Sequence, residues 1–217
     1  MNQKSLVCFD LEDTLIPSGP HTRRAHSAII AAAAAVHGVQ PEAIERRFHV
    51  ARAKLPSALA TYSNLGLDPG EVRGILDRLD PGPGVDAVPH AGLILQCLQE
   101  LNVGLAIVTN APCQWARRLL YAAKLDPASF NVIVSSCDVS SPKPSPESFE
   151  LALQRFDVGA NQAVMVGDRD DVDLVPARSL GMGALLVSEQ ASLAVRFVEL
   201  LSMVLAPLPT EVPRSVP

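Results

Sequence analysis

Four separated clusters in this chain hold residue types that do chemistry: Asp10-Leu11-Glu12-Asp13-Thr14, Thr109-Asn110, Lys143 within Ser141-Pro142-Lys143-Pro144-Ser145-Pro146, and Gly167-Asp168-Arg169-Asp170-Asp171-Val172-Asp173. Three of them end a short apolar run, at residues 6–9, 105–108 and 164–166. Runs of this kind read as buried parallel strands. Polar residues at the carboxyl ends of such strands face the crevice where open α/β sheets bind ligands. Acids from two strand ends, Asp10 and Asp168, suit a hard cation such as Mg²⁺, which takes carboxylate, water and substrate oxygens. Lys143 adds a point charge. Thr109, the Asn110 side chain or amide and nearby backbone N–H groups supply donors for an anion.

Those residues need a scaffold that gathers them at one edge, and two textures along the chain supply it. Between residues 21 and 78 no run is strand-like. Residues 25–37, 41–54 and 69–80 predict helices, separated by Gly38, Pro56, Gly66 and Pro69. Gln40-Pro41 and Asp68-Pro69 put proline at first helical positions. The stretch Asp80-Pro81-Gly82-Pro83-Gly84 is a loop. From His90 onward helices and strands alternate. Helices are predicted at 91–101, 114–124, 146–156, near 175–180 and at 193–205, with strands at 104–108, 131–135, 163–166 and 184–187. Together with the first strand, this alternation predicts right-handed βαβ units and a Rossmann-like, doubly wound parallel sheet. The expected organisation is a catalytic core of residues 1–16 and 86–205, a small all-helical insertion at 17–85, and a flexible proline-rich tail at 206–217.

Bulk properties narrow the partners. A chain of 217 residues with 48% hydrophobic content fills a real core. The net charge of −5 argues against a nucleic-acid partner. No apolar run reaches membrane-spanning length, and Asp10 interrupts the N-terminal apolar segment too early for a signal peptide. A cytoplasmic protein with no membrane association is expected, as a monomer or a homodimer. Cys8, Cys97, Cys113 and Cys137 form no CxxC pair, so neither zinc nor a redox motif is indicated; three of them lie in or beside apolar runs, where buried reduced thiols are expected.

Taken in order, the four clusters resemble the motifs of the haloacid dehalogenase-like hydrolases, with a helical cap inserted after the first strand. The resemblance spans essentially the whole core. It implies a Mg²⁺-dependent phosphatase acting on a small phosphorylated metabolite. A phosphomonoester is doubly negative, so an anionic nucleophile needs that charge neutralised before it approaches. The family pattern implies that Asp10 attacks phosphorus to give an aspartyl-phosphate, which water then cleaves. It implies that the acid two residues later, here Glu12, protonates the leaving oxygen and then activates the water. Asp10, Asp168 and the Glu12 main-chain carbonyl would hold the metal, and Asp173 would orient Lys143 or a metal-bound water. Asp13 receives no catalytic role. Asp170 and Asp171 stay unassigned, one of them a candidate for capping the next turn, and Arg169 is expected to face solvent.

Glu12 is the departure, because the phosphatase branch usually carries Asp there. One extra methylene moves the carboxyl by about 1 to 1.5 Å, a misplacement that can cost on the order of 10²-fold in rate. An acid here disfavours the dehalogenase branch. Two alternatives stay open: phosphotransfer to a hydroxyl acceptor, as in mutases, and a degenerate member that binds phosphorylated ligands without turnover. Residues 21–54 hold Arg23, Arg24, Arg46, Arg47, Arg52 and Lys54 against Glu42 and Glu45. A solvated helix face is the first reading of this cluster; the alternative is that one or two of these arginines reach the pocket and clamp a second anionic group, such as a carboxylate, which replacement of Arg23 and Arg24 would test. Trp115 and Tyr121 are expected in the core. The apolar helix at 193–205 is expected to be buried, against its own sheet or in a dimer contact.

Overall fold

The computed structural model describes residues 5–55 and 58–205; the predicted tail lies outside them. Five strands run parallel: β1 (Ser5–Phe9), β2 (Val103–Val108), β3 (Val132–Val134), β4 (Ala163–Gly167) and β5 (Gly183–Leu186). Their order across the sheet is β3-β2-β1-β4-β5. The winding reverses between β1 and β4, which makes the carboxyl ends of these two strands the topological switch point. Register places Phe9 beside Val166 and Ile107, so Asp10 follows directly at the tip of the central strand.

Alternating side chains build a layer on each face of the sheet. Val7, Phe9, Leu105, Ile107, Val164 and Val166 pack beneath α5 (Ala91–Glu100), α6 (Cys113–Ala122) and α9 (Leu193–Leu205). Leu6, Cys8, Ala106, Val108 and Met165 face α7 (Glu147–Phe156) and α8 (Val175–Ser179). Both faces are covered, which is why these strands read as unbroken apolar runs. Gly104 is required on the second face, since a Cβ there would lie 2.1 Å from the Phe156 ring.

Four helices separate β1 from α5: α1 (Pro20–His37), α2 (Pro41–Arg52), α3 (Ala58–Asn64) and α4 (Pro69–Arg78). Pro20, Pro41 and Pro69 stand at first helical positions, where the missing N–H costs nothing. Asp68 caps α4 by accepting from the Gly70 N–H at 2.7 Å, and Glu71 returns the bond to the Asp68 N–H. Ile29 and Ala33 of α1, Ile44 and Phe48 of α2 and Val72 and Leu76 of α4 join the same apolar layer as α5 and α6. Each large aliphatic so buried contributes about 1.5–3 kcal/mol.

Several elements differ from expectation. α1 begins at Pro20, five residues before the alanine-rich stretch, because proline opens it. α3 has no counterpart in the sequence reading, since Ala-Leu-Ala-Thr-Tyr-Ser-Asn carries neither periodicity nor caps. The acidic run after β4 forms a single π-helical turn, Asp170–Leu174. Tyr121 is exposed rather than in the core, whereas Trp115 is buried. Of the cysteines only Cys8 is buried, and Cys137 is exposed. α9 buries Leu193, Leu200 and Val204 but exposes Val195, Val198 and Leu205. Its apolar circumference is thus half covered.

Candidate active site

Strands β1, β2 and β4 deliver chemical groups at their carboxyl ends. Asp10 leaves β1 with its backbone N–H bonded to the Val166 carbonyl at 2.9 Å. The chain then turns tightly: the Asp13 N–H bonds Ile16 O at 2.7 Å and the Leu15 N–H bonds Leu11 O at 2.9 Å. Asp13 holds a left-handed φ of 62°, and its carboxylate accepts from the Ser18 N–H and hydroxyl. An acid with a short side chain tolerates this backbone and braces the loop.

Lys143 comes from the β3–α7 connection and is buried. Its ammonium donates to Asp10 Oδ1 at 2.7 Å and to Asp173 Oδ1 at 2.6 Å. Asp173 sits on the π turn, its other oxygen accepting from the Arg169 N–H at 3.2 Å. That turn packs against the end of β4 because position 167 is glycine: a Cβ there would meet Asp173 Cβ and Oδ2 at 2.6 Å. Asn110 donates a side-chain N–H to the Lys143 carbonyl at 2.8 Å, tying the tip of β2 to the lysine's backbone. Thr109 is buried, and its hydroxyl oxygen accepts from the Ala111 N–H at 3.1 Å.

Asp10, Asp168 and Asp173 each offer a carboxylate oxygen within 4.8 Å of the others. Three acids face one ammonium, so negative charge is in excess. Burial, against the opposing pull of Lys143, pushes Asp10 up to about 7, with Asp173 and Asp168 adding to the rise. Burial, then the Asp173 and Asp13 charges, push Asp168 up to about 6. Burial alone would lower the Lys143 ammonium, but Asp10 and Asp173 outweigh it and hold it above its ordinary value. An all-oxygen set with surplus negative charge fits a hard divalent cation. Both Asp173 oxygens already accept N–H donors, which leaves Asp10 and Asp168 as the better ligands.

These groups open onto a cavity of about 390 Å³. Glu12, Asp13, Thr109, Asn110 and Trp115 line it from the sheet side. His26, Ile29, Arg52, Leu59, Tyr62, Val72 and Leu76 line it from the helices α1–α4. His26 bridges Tyr62 Oη at 2.8 Å and the Glu45 carboxylate at 2.8 Å. Of the six cations in residues 21–54, Arg52 alone lines the cavity. Arg23 is exposed. Arg24 turns away to the carbonyls of Pro81 and Pro83, clamping the loop before α5. That loop's carbonyls carry no sequence signal. Arg169, expected in solvent, pairs with Asp171 at 3.1 Å beside the cavity, and Asp170 pairs with Arg178 at 2.8 Å.

The sheet, wound in this order, gathers three acids and a lysine at its switch point. The profile of the haloacid dehalogenase-like hydrolases matches residues 4–181. The chain belongs to that family, on its phosphatase branch. It is 31% identical over 198 residues to a glyceraldehyde 3-phosphate phosphatase of Pyrococcus abyssi, covering 82% of this chain and 78% of that protein. It is 29% identical over 195 residues to the phosphoglycolate phosphatase of Escherichia coli K12, covering 79% and 77%. Among solved structures, a haloacid dehalogenase-type phosphatase from Thermococcus onnurineus superposes with a TM-score of 0.69 at 21% identity, covering 95% of this chain and all of that one. No helix among the described residues is long and apolar enough to cross a membrane.

Proposed function

We propose that this chain is a Mg²⁺-dependent phosphomonoesterase for a small phosphorylated metabolite, working through a phosphoaspartyl intermediate on Asp10. The single observation that carries the reading is the buried Lys143 ammonium held between Asp10 and Asp173, with Asp168 completing the acidic cluster. Asp10, Asp168 and the Glu12 carbonyl would hold the cation, whose charge offsets that of the bound phosphate.

The chain's own residues do the rest. Lys143 fixes the Asp10 carboxylate and adds positive charge where phosphate oxygens arrive. Asp173 keeps that lysine in place. Thr109 and the backbone N–H groups after β2 donate to the phosphate. A carboxylate oxygen of Asp10 forms a bond to phosphorus as the ester P–O bond breaks, and Glu12 gives the leaving oxygen its proton. Glu12 then takes a proton from water, the water oxygen attacks phosphorus, and Asp10 is released with inorganic phosphate.

Residues 17–85 serve as a helical cap over a core of residues 1–16 and 86–205, excluding water during the first step. Arg52 is the cation placed to hold a second anionic group, such as a carboxylate. The cavity volume and the names of the relatives both support a small substrate.

Asp10→Asn tests the reading in a screen of phosphorylated metabolites for released phosphate. Turnover should fall by on the order of 10³-fold or more with the fold retained. Chelation should abolish activity and Mg²⁺ restore it. A D10N variant with near wild-type turnover defeats the nucleophile assignment, and transfer products without free phosphate would mark a mutase instead.

A further inference from the structure

The His21 ring is fully buried, yet neither of its nitrogens has a hydrogen-bond partner. Buried polar atoms without partners are rare and costly in folded proteins, and each calls for a reason. His21 is the second residue of α1, at the point where the chain leaves the catalytic strand for the helices. Its Nε2 lies 3.6 Å from Glu12 Oε1, and it is the one basic side chain within 4.0 Å of that carboxylate among the described residues.

We propose that His21 is a positioning residue for Glu12, holding its carboxyl group against the leaving oxygen of the substrate. The inference rests on the acid–base role given to Glu12 above.

Three observations converge on it. The Glu12 backbone is pinned by the turn that bridges it to Ile16, while its side chain stands one-third exposed beside the cavity with no hydrogen bond of its own among the described residues. A catalytic acid left this free samples many rotamers, and a misplacement of about 1 Å is enough to cost on the order of 10²-fold. The separation of 3.6 Å is beyond hydrogen-bond range, but such contacts are commonly long before substrate binds and tighten in the complex. A modest approach of α1 to the strand tip would close it.

The pairing also accounts for glutamate at position 12. Aspartate would stop about 1 to 1.5 Å nearer the backbone and leave the imidazole without its partner. The longer side chain and the buried ring form one unit.

The test compares kcat/KM on an alkyl phosphate with kcat/KM on p-nitrophenyl phosphate, whose leaving group departs without a proton. Glu12→Gln should lower the first at least tenfold more than the second. His21→Phe, which fills the same space without a polar atom, should reproduce that selective loss by about tenfold while its melting temperature stays level or rises. His21→Gln, with its amide near the Nε2 position, should recover most of the alkyl phosphate rate. If H21F fails to fold, His21→Met carries the same prediction. Equal losses on both substrates, or none on either, in H21F beside a selective E12Q overturn the positioning role alone. An E12Q variant without leaving-group selectivity overturns the Glu12 assignment and this inference with it.

Discussion

At the scale of single residues, the site is a charge imbalance held under burial. Lys143 satisfies two carboxylates, and Asp168 adds a third within 4.8 Å of the other acids. The sign of the pH dependence follows. Asp10 and Asp168 titrate at about 7 and about 6 in the folded chain, against an ordinary 3.8. The folded state therefore binds more protons than the unfolded one between about pH 4 and 7, and stability falls as pH rises through that window. Melting in the presence of a chelator should show a declining Tm from pH 5 to 7.5, a shallower decline in D10N, and recovery on adding Mg²⁺; a flat profile in wild type would contradict the picture. Gly167 gives a second prediction. Gly167→Ala drives a methyl into Asp173, so the lysine loses one anchor. Activity should drop at least tenfold, with a stability loss of about 1–3 kcal/mol read by denaturant unfolding. The four chemical clusters were legible in sequence because residue type and order define them. The need for glycine at 167 was not, since it depends on a π turn folding back over the strand end. Nor did any local signal mark His21 as a neighbour of Glu12.

At the scale of elements, punctuation was more legible than periodicity. Proline at 41 and 69 marks the starts of two helices, Pro20 opens a third whose start the alanine-rich stretch concealed, and the apolar runs are strands to within a residue or two. α3 escaped because its seven residues carry no stripe and no cap. The basic residues of α1 and α2 show the limit of composition: Arg23, Arg24 and Arg52 look alike in sequence, and only the helix packing sends Arg52 to the cavity. Arg24 is a strut between α1 and the loop before α5. Arg24→Ala should lower stability by about 1–2 kcal/mol, the worth of bonds from a charged donor at a half-buried site. Its effect on KM should be the same for every substrate. Arg52→Ala should instead raise KM most for phosphorylated carboxylates, beside a stability loss of about 1 kcal/mol from its 2.8 Å bond to the Leu55 carbonyl. A substrate panel separates the two.

At the scale of the whole molecule, strand order decides where chemistry happens. The order β3-β2-β1-β4-β5 brings Asp10 and Asp168 to neighbouring tips although 158 positions separate them in sequence. The alternation of strands and helices predicted this sheet, because each strand is covered on both sides and reads as apolar throughout. The walls of the cavity were opaque by comparison. On the side away from the strand tips they come from four helices whose side chains meet only after folding.

The hydrogen bond from the Asp10 N–H to the Val166 carbonyl carries one more consequence. It extends the β1–β4 ladder to the first acid, and the second acid follows β4 two residues after Val166. The spacing of the two acids is thus inherited from interstrand spacing, about 4.8 Å in any sheet, and not from loops that could be remodelled. Substitutions at the cavity mouth should therefore leave the separation of these two acids unchanged.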